Sequence, residues 1–132
     1  MRPIPEYFVA LVKQYANLRS NQEAEQLVQT ITILFDANID PKRSVYLFSL
    51  LPSYLRPRSQ KFFARLVDWQ PRYKHARTLD RLQACLQLTD RVEVAMRLKA
   101  YFKAIKVVVE PSDRLKIARA LPEELNQIYI KA

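Results

Sequence analysis

The chain of 132 residues contains no glycine. Phosphate-cradling loops, dinucleotide fingerprints and nucleophile elbows all depend on the positive backbone angles or close backbone approach that glycine supplies, so none can be present in standard form. Tight primed hairpin turns are disfavoured for the same reason, and with them a sheet-rich fold. Helices joined through Pro, Asn and Ser turns have no such need. Cysteine and histidine occur once each. Cys85 therefore has no partner for an internal disulfide, and one thiol with one imidazole, His75, leaves no thiolate-rich or paired-histidine metal site and no evident Cys-His dyad. Long apolar runs are missing too. None approaches the ~20 residues of a membrane span, and MRPIPEYFVALVKQY lacks the unbroken apolar segment and small-residue cleavage site of a secretory signal. These features predict a soluble, cytoplasmic protein. With 49% of residues apolar, the chain has enough material for one compact domain over residues 1–132.

What is present is a pattern that recurs at an offset of seventy. Val9, Val12 and Ala16 align with Leu79, Leu82 and Leu86 at the three- and four-residue spacings of one helical face, and Leu18 aligns with Leu88 two residues on. Ser20 and Glu23 in SNQE then align with Asp90 and Glu93 in DRVE. The first is a capping box, in which a side-chain oxygen accepts from the amide three residues on while the glutamate reaches back; the second is its aspartate relative. The helix that follows carries Ala24, Val28, Ile31 and Phe35 in one copy and Val94, Leu98, Tyr101 and Ile105 in the other. Asp40-Pro41 and Glu110-Pro111 suit the start of a third helix, because proline at the first helical position forgoes a donor that would be unsatisfied anyway. The third helices align through Leu51-Pro52 and Leu121-Pro122 to Leu55 and Leu125. The predicted architecture is an all-α bundle of about seven helices: three used twice, in residues 5–55 and 75–125, and a basic connector, 56–74. In the connector Ser59 caps a short helix with Phe62, Phe63, Leu66 and Val67 inward, ended by Trp69 and Pro71. Thr78 is the expected cap of the next helix.

The two LPxxL elements, LPSYL and LPEEL, with Trp69-Gln70-Pro71 between them, resemble the bacterial family known as domain of unknown function 2267. The resemblance covers nearly the whole chain and departs from the family pattern at Asp68, where a glycine is expected before the tryptophan. It implies a small all-helical protein of two repeats with no established activity.

The net charge of +9 is unevenly spread. Residues 1–55 balance five basic against five acidic side chains, residues 56–81 hold eight against two, and residues 82–132 hold nine against six, so +6 of the +9 lies in the middle stretch. Arg56, Arg58, Lys61, Arg65, Arg72, Lys74 and Arg77, with the ring of Tyr73 among them, form a candidate surface for an anionic partner, and Lys99, Lys103 and Lys106 a second row at helical spacing. An acidic protein surface is the leading partner. Nucleic acid bound without sequence preference is the alternative, and the same field suits anionic lipid heads or a plain solvated face. Carboxylates offer no catalytic pair: Glu23 and Glu93 are caps, Asp40 and Glu110 precede prolines, and Glu123 and Glu124 lie in a first helical turn, where the helix dipole favours negative charge. Cys85, between Leu82 and Leu86, is expected to be buried and inert. The sequence thus points to a non-catalytic protein-binding module with no cofactor.

Overall fold

Caps and prolines decide where the helices begin. The computed structural model describes residues 4–56 and 78–132. Among these are seven α-helices and no strand: α1 Glu6–Ala16, α2 Asn21–Asn38, α3 Pro41–Leu50, α4 Thr78–Leu86, α5 Arg91–Val108, α6 Pro111–Ala120 and α7 Glu123–Lys131, with a 3₁₀ turn at Ser53–Leu55. The expected all-α bundle is therefore present. Its bounds recur at the same offset, since α2 and α5 are each 18 residues long and α3 and α6 each 10. The connector helix expected from Ser59 to Pro71 lies outside the described residues. The seventh described helix is α7, which begins at Glu123, where the sequence places a first helical turn after Leu121-Pro122 without counting a separate helix. Leu51 and Leu121 end α3 and α6 because the residue before a proline is pushed out of the α region; their ψ angles are 155° and 142°.

Without glycine, the first helix of each half still ends in a left-handed residue. Asn17 has φ 55° and Gln87 φ 54°. In the first half the Asn17 and Leu18 amides donate to the Gln14 and Lys13 carbonyls at 3.3 and 2.9 Å, and in the second the Gln87 and Leu88 amides donate to Ala84 and Gln83 at 3.2 and 3.1 Å. Both pairs form the Schellman arrangement that satisfies the last carbonyls of a helix. The next helix then starts differently in each half. Ser20 Oγ accepts from the Glu23 amide at 3.1 Å, and Glu23 Oε2 accepts from the Arg19 amide at 3.3 Å, closing the box one residue upstream of the cap. Asp90 Oδ1 accepts from the Val92 amide at 2.9 Å, two residues on. Glu93 does not close an aspartate box as expected, because the Arg97 guanidinium 3.1 Å away engages its carboxylate.

Packing crosses between the halves. α1 lies against α5 as well as α2, α4 lies reciprocally against α2 as well as α5, and α3 packs on α6. This is the arrangement of a pseudo-two-fold pair that has exchanged first helices. Arg97 lies where the two second helices meet, with its guanidinium also 3.7 Å from Glu23, so one cation serves the glutamates of both helix starts. The core is shared. A chain of rings runs from Tyr7 and Tyr54 through Phe8, Tyr101 and Phe35 to Phe102 and Tyr129, with centroids 5.2–6.3 Å apart and mostly edge-on. Full burial pushes the Tyr101 phenol up to about 12.

Candidate partner-binding face

Six side chains share the outward face of α5, because at about 100° per residue positions 92, 96, 99, 103, 106 and 107 fall on one side of a helix whose opposite side holds Val94, Leu98, Tyr101 and Ile105 in the core. Three are apolar and well exposed: Val92 at 65%, Met96 at 62% and Val107 at 54%. The other three are Lys99, Lys103 and Lys106. At the equivalent positions α2 carries Gln22, Gln26 and Ala37, and Gln29, Ile33 and Asp36. The same outward face is thus neutral to acidic in one half, and cationic with interleaved apolar groups in the other.

The candidate lysines are not equivalent. Lys103 is exposed and holds its ammonium 5.7 Å from the centroid of the Tyr15 ring on α1. Lys106 is turned toward α7, donating to the Ala132 carbonyl at 3.0 Å and lying 4.6 Å from the Tyr129 ring centroid. Burial, and then the nearby Arg114 guanidinium, hold that amine below the usual lysine range. Lys99 is half-buried beside Lys103 on the same ridge. Arg56 is committed elsewhere: its guanidinium donates to the Ser49 and Leu51 carbonyls at 3.3 and 3.1 Å, closing the end of α3. Of the proposed anion-binding residues, the structure brings together Lys99 and Lys103 at the centre of the face and places Lys106 at its edge. Arg58, Lys61, Arg65, Arg72, Tyr73, Lys74 and Arg77 lie outside the described residues, as does His75.

A groove separates the halves further. Between α2 and α4 is a groove of about 420 Å³ lined by Gln26, Thr30, Ile33, Cys85, Leu86 and Arg97 among others. The thiol expected to be buried is exposed. Leu79, Leu82 and Leu86 define the inward stripe of α4, and Cys85 lies about 90° round from its centre, on the flank. Its counterpart in the first half is Tyr15, and that of Ile33 is Lys103, so the positions that are open here carry a ring and an ammonium in contact on the other side. Among the described residues no cluster of three or more His, Cys, Asp or Glu side chains could hold a metal ion, and no helix is long and apolar enough to cross a membrane.

Three residues that sequence reasoning missed become legible when the halves are compared. Val92 and Met96 read as ordinary helix positions until Gln22 and Gln26 are set beside them. Glu124, taken as an ornament of its own helix start, accepts from the Leu79 amide at 3.3 Å and so satisfies a donor at the start of α4. Its counterpart, Tyr54, packs on Tyr7 and Phe8 at the start of α1. Comparison with family models, with curated proteins and with solved structures gives no significant match to this chain.

Proposed function

We propose that this protein is a non-catalytic helical binding module that engages an acidic protein partner through the outward face of α5 and the basic 56–77 segment. One observation carries the reading: on helices of identical length and register, Gln29, Ile33 and Asp36 of α2 are matched by Lys99, Lys103 and Lys106 of α5. A change from neutral and acidic to cationic at three positions of one exposed face leaves the helix bounds alone, and its physical effect is on the field presented to a partner. The segment between Arg56 and Arg77 adds to that field, holding seven basic residues against Asp68. On the same grounds, two halves with matched helix bounds support placing the chain with the two-repeat helical family it resembles.

The test is affinity capture from the native cell with the wild-type chain, with Lys99→Glu/Lys103→Glu, and with Arg58→Glu/Lys61→Glu/Arg65→Glu/Arg72→Glu, each with and without nuclease. Loss of the same protein partner in both variants, unaffected by nuclease, is the expected result. Retention of every partner by both variants overturns the proposal. Partners lost on nuclease treatment, together with a low-salt gel shift whose affinity falls steeply with salt, would establish nucleic-acid binding in its place.

A further inference from the structure

We infer that the outward face of α5 is a seat for an acidic amphipathic helix, laid along the helix from Val92 to Val107; this rests on the binding-module reading and specifies its partner. Charge decides the sign of the occupant. Lys99 and Lys103 occupy the centre of the face, and no carboxylate shares it, since Glu93 lies to one side with its charge engaged by Arg97. Shape decides the class. Lys99, Lys103 and Val107 form one row of fourth-neighbour spacing and Val92 and Met96 the start of the adjacent row, joined by the three-residue step from Met96 to Lys99, and such rows are what a second helix packs against at an axis separation of about 8–10 Å. The face is about 22 Å long at 1.5 Å per residue, or roughly four turns, and one helix wide. An outward helical face is ordinarily polar, as it is at Gln22, Gln26 and Gln29 of α2; here Val92, Met96 and Val107 are each more than half exposed. A strip this narrow, bordered by α1 at Tyr15 and by α7 at Tyr129, matches a helix better than the broad surface a bilayer or duplex presents. The complementary ligand carries apolar side chains at i and i+4 with Asp or Glu beside them.

The full-length protein is titrated by fluorescence anisotropy into a labelled helical peptide of about sixteen residues, matched to the face in length, with leucines at i, i+4 spacing flanked by glutamates. A peptide with lysines for glutamates, phosphatidylserine vesicles and a single-stranded oligonucleotide serve as comparisons. Val92→Gln/Met96→Gln gives α5 the residues of α2 without altering charge, and Val107→Ala does the same at the far end. Both sites are exposed, so unchanged helicity and thermal midpoint are required of each. The acidic peptide should bind the wild type in preference to all three comparisons, and Val92→Gln/Met96→Gln should weaken it by about tenfold, with a smaller loss for Val107→Ala. Equal binding to wild type and both variants would overturn the helix seat while leaving the acidic-partner reading to stand on its lysine variants. Tighter binding to vesicles or oligonucleotide than to the acidic peptide, or no peptide binding, would overturn it as well.

Discussion

The outward faces of α2 and α5 are the same piece of architecture carrying different chemistry. Both helices have equal length, start three residues after the leucine that follows a left-handed turn at the end of the previous helix, and bury one face in the common core. One shows water glutamine, isoleucine, alanine and aspartate; the other shows valine, methionine and lysine. Backbone design and surface chemistry are therefore separable in this molecule. Caps, prolines and apolar spacing hold the helix bounds, and side chains pointing away from the core are free to differ.

The interior breaks the parallel most sharply. Phe102 packs against three rings of the chain, Phe35, Tyr101 and Tyr129, whereas its counterpart Thr32 is a buried hydroxyl that donates to the Val28 carbonyl at 2.9 Å within its own helix. Phe102→Ala should lower unfolding free energy by about 3–5 kcal/mol in urea titration, and Thr32→Ala by about 1 kcal/mol. Similar losses would mean that the two halves share the core more evenly than the rings suggest. The caps should behave alike despite their different reach: Ser20→Ala and Asp90→Ala are each expected to cost about 1 kcal/mol, read as a lower thermal midpoint. A loss at Ser20 alone would show that the two-residue reach of Asp90 contributes nothing. The smallest effect is a gain. A left-handed residue other than glycine or asparagine is strained by roughly 1 kcal/mol, so Gln87→Gly should raise the midpoint, and Asn17→Gly should raise it less because asparagine tolerates that region. Equal gains would remove the distinction.

Most of the helical bounds could be read from the residues. Ser20, Asp40-Pro41, Asp90 and Glu110-Pro111 mark starts by local chemistry, and local chemistry is what a sequence displays. The exchange of first helices could not be read, because a three-four spacing identifies an apolar face and leaves its partner open: Val9 and Val12 would look the same whether α1 packed only on α2 or on α5 as well. Arg56 and Lys106 stood out as cations, yet each is bound to main-chain carbonyls, of Ser49 and Leu51 and of Ala132, and carbonyls leave no trace in a sequence. Cys85 was misplaced because its neighbours Leu82 and Leu86 are inward while the flank between them is not. Val92 and Met96 carry a signal after all, one that emerges only when outward positions of the two halves are compared rather than each half read alone.

The exchange also sets an order of events during synthesis. α1 leaves the ribosome well before α5 has been made, so although α2 can cover part of its apolar surface early, the part that faces α5 must wait for the second half of the chain. Folding then closes a long loop between distant segments, which is slow compared with forming a helical hairpin. Nascent chains arrested anywhere before Arg91 hold an α1 whose α5-facing side is uncovered, the natural point of attack for a chaperone or a protease.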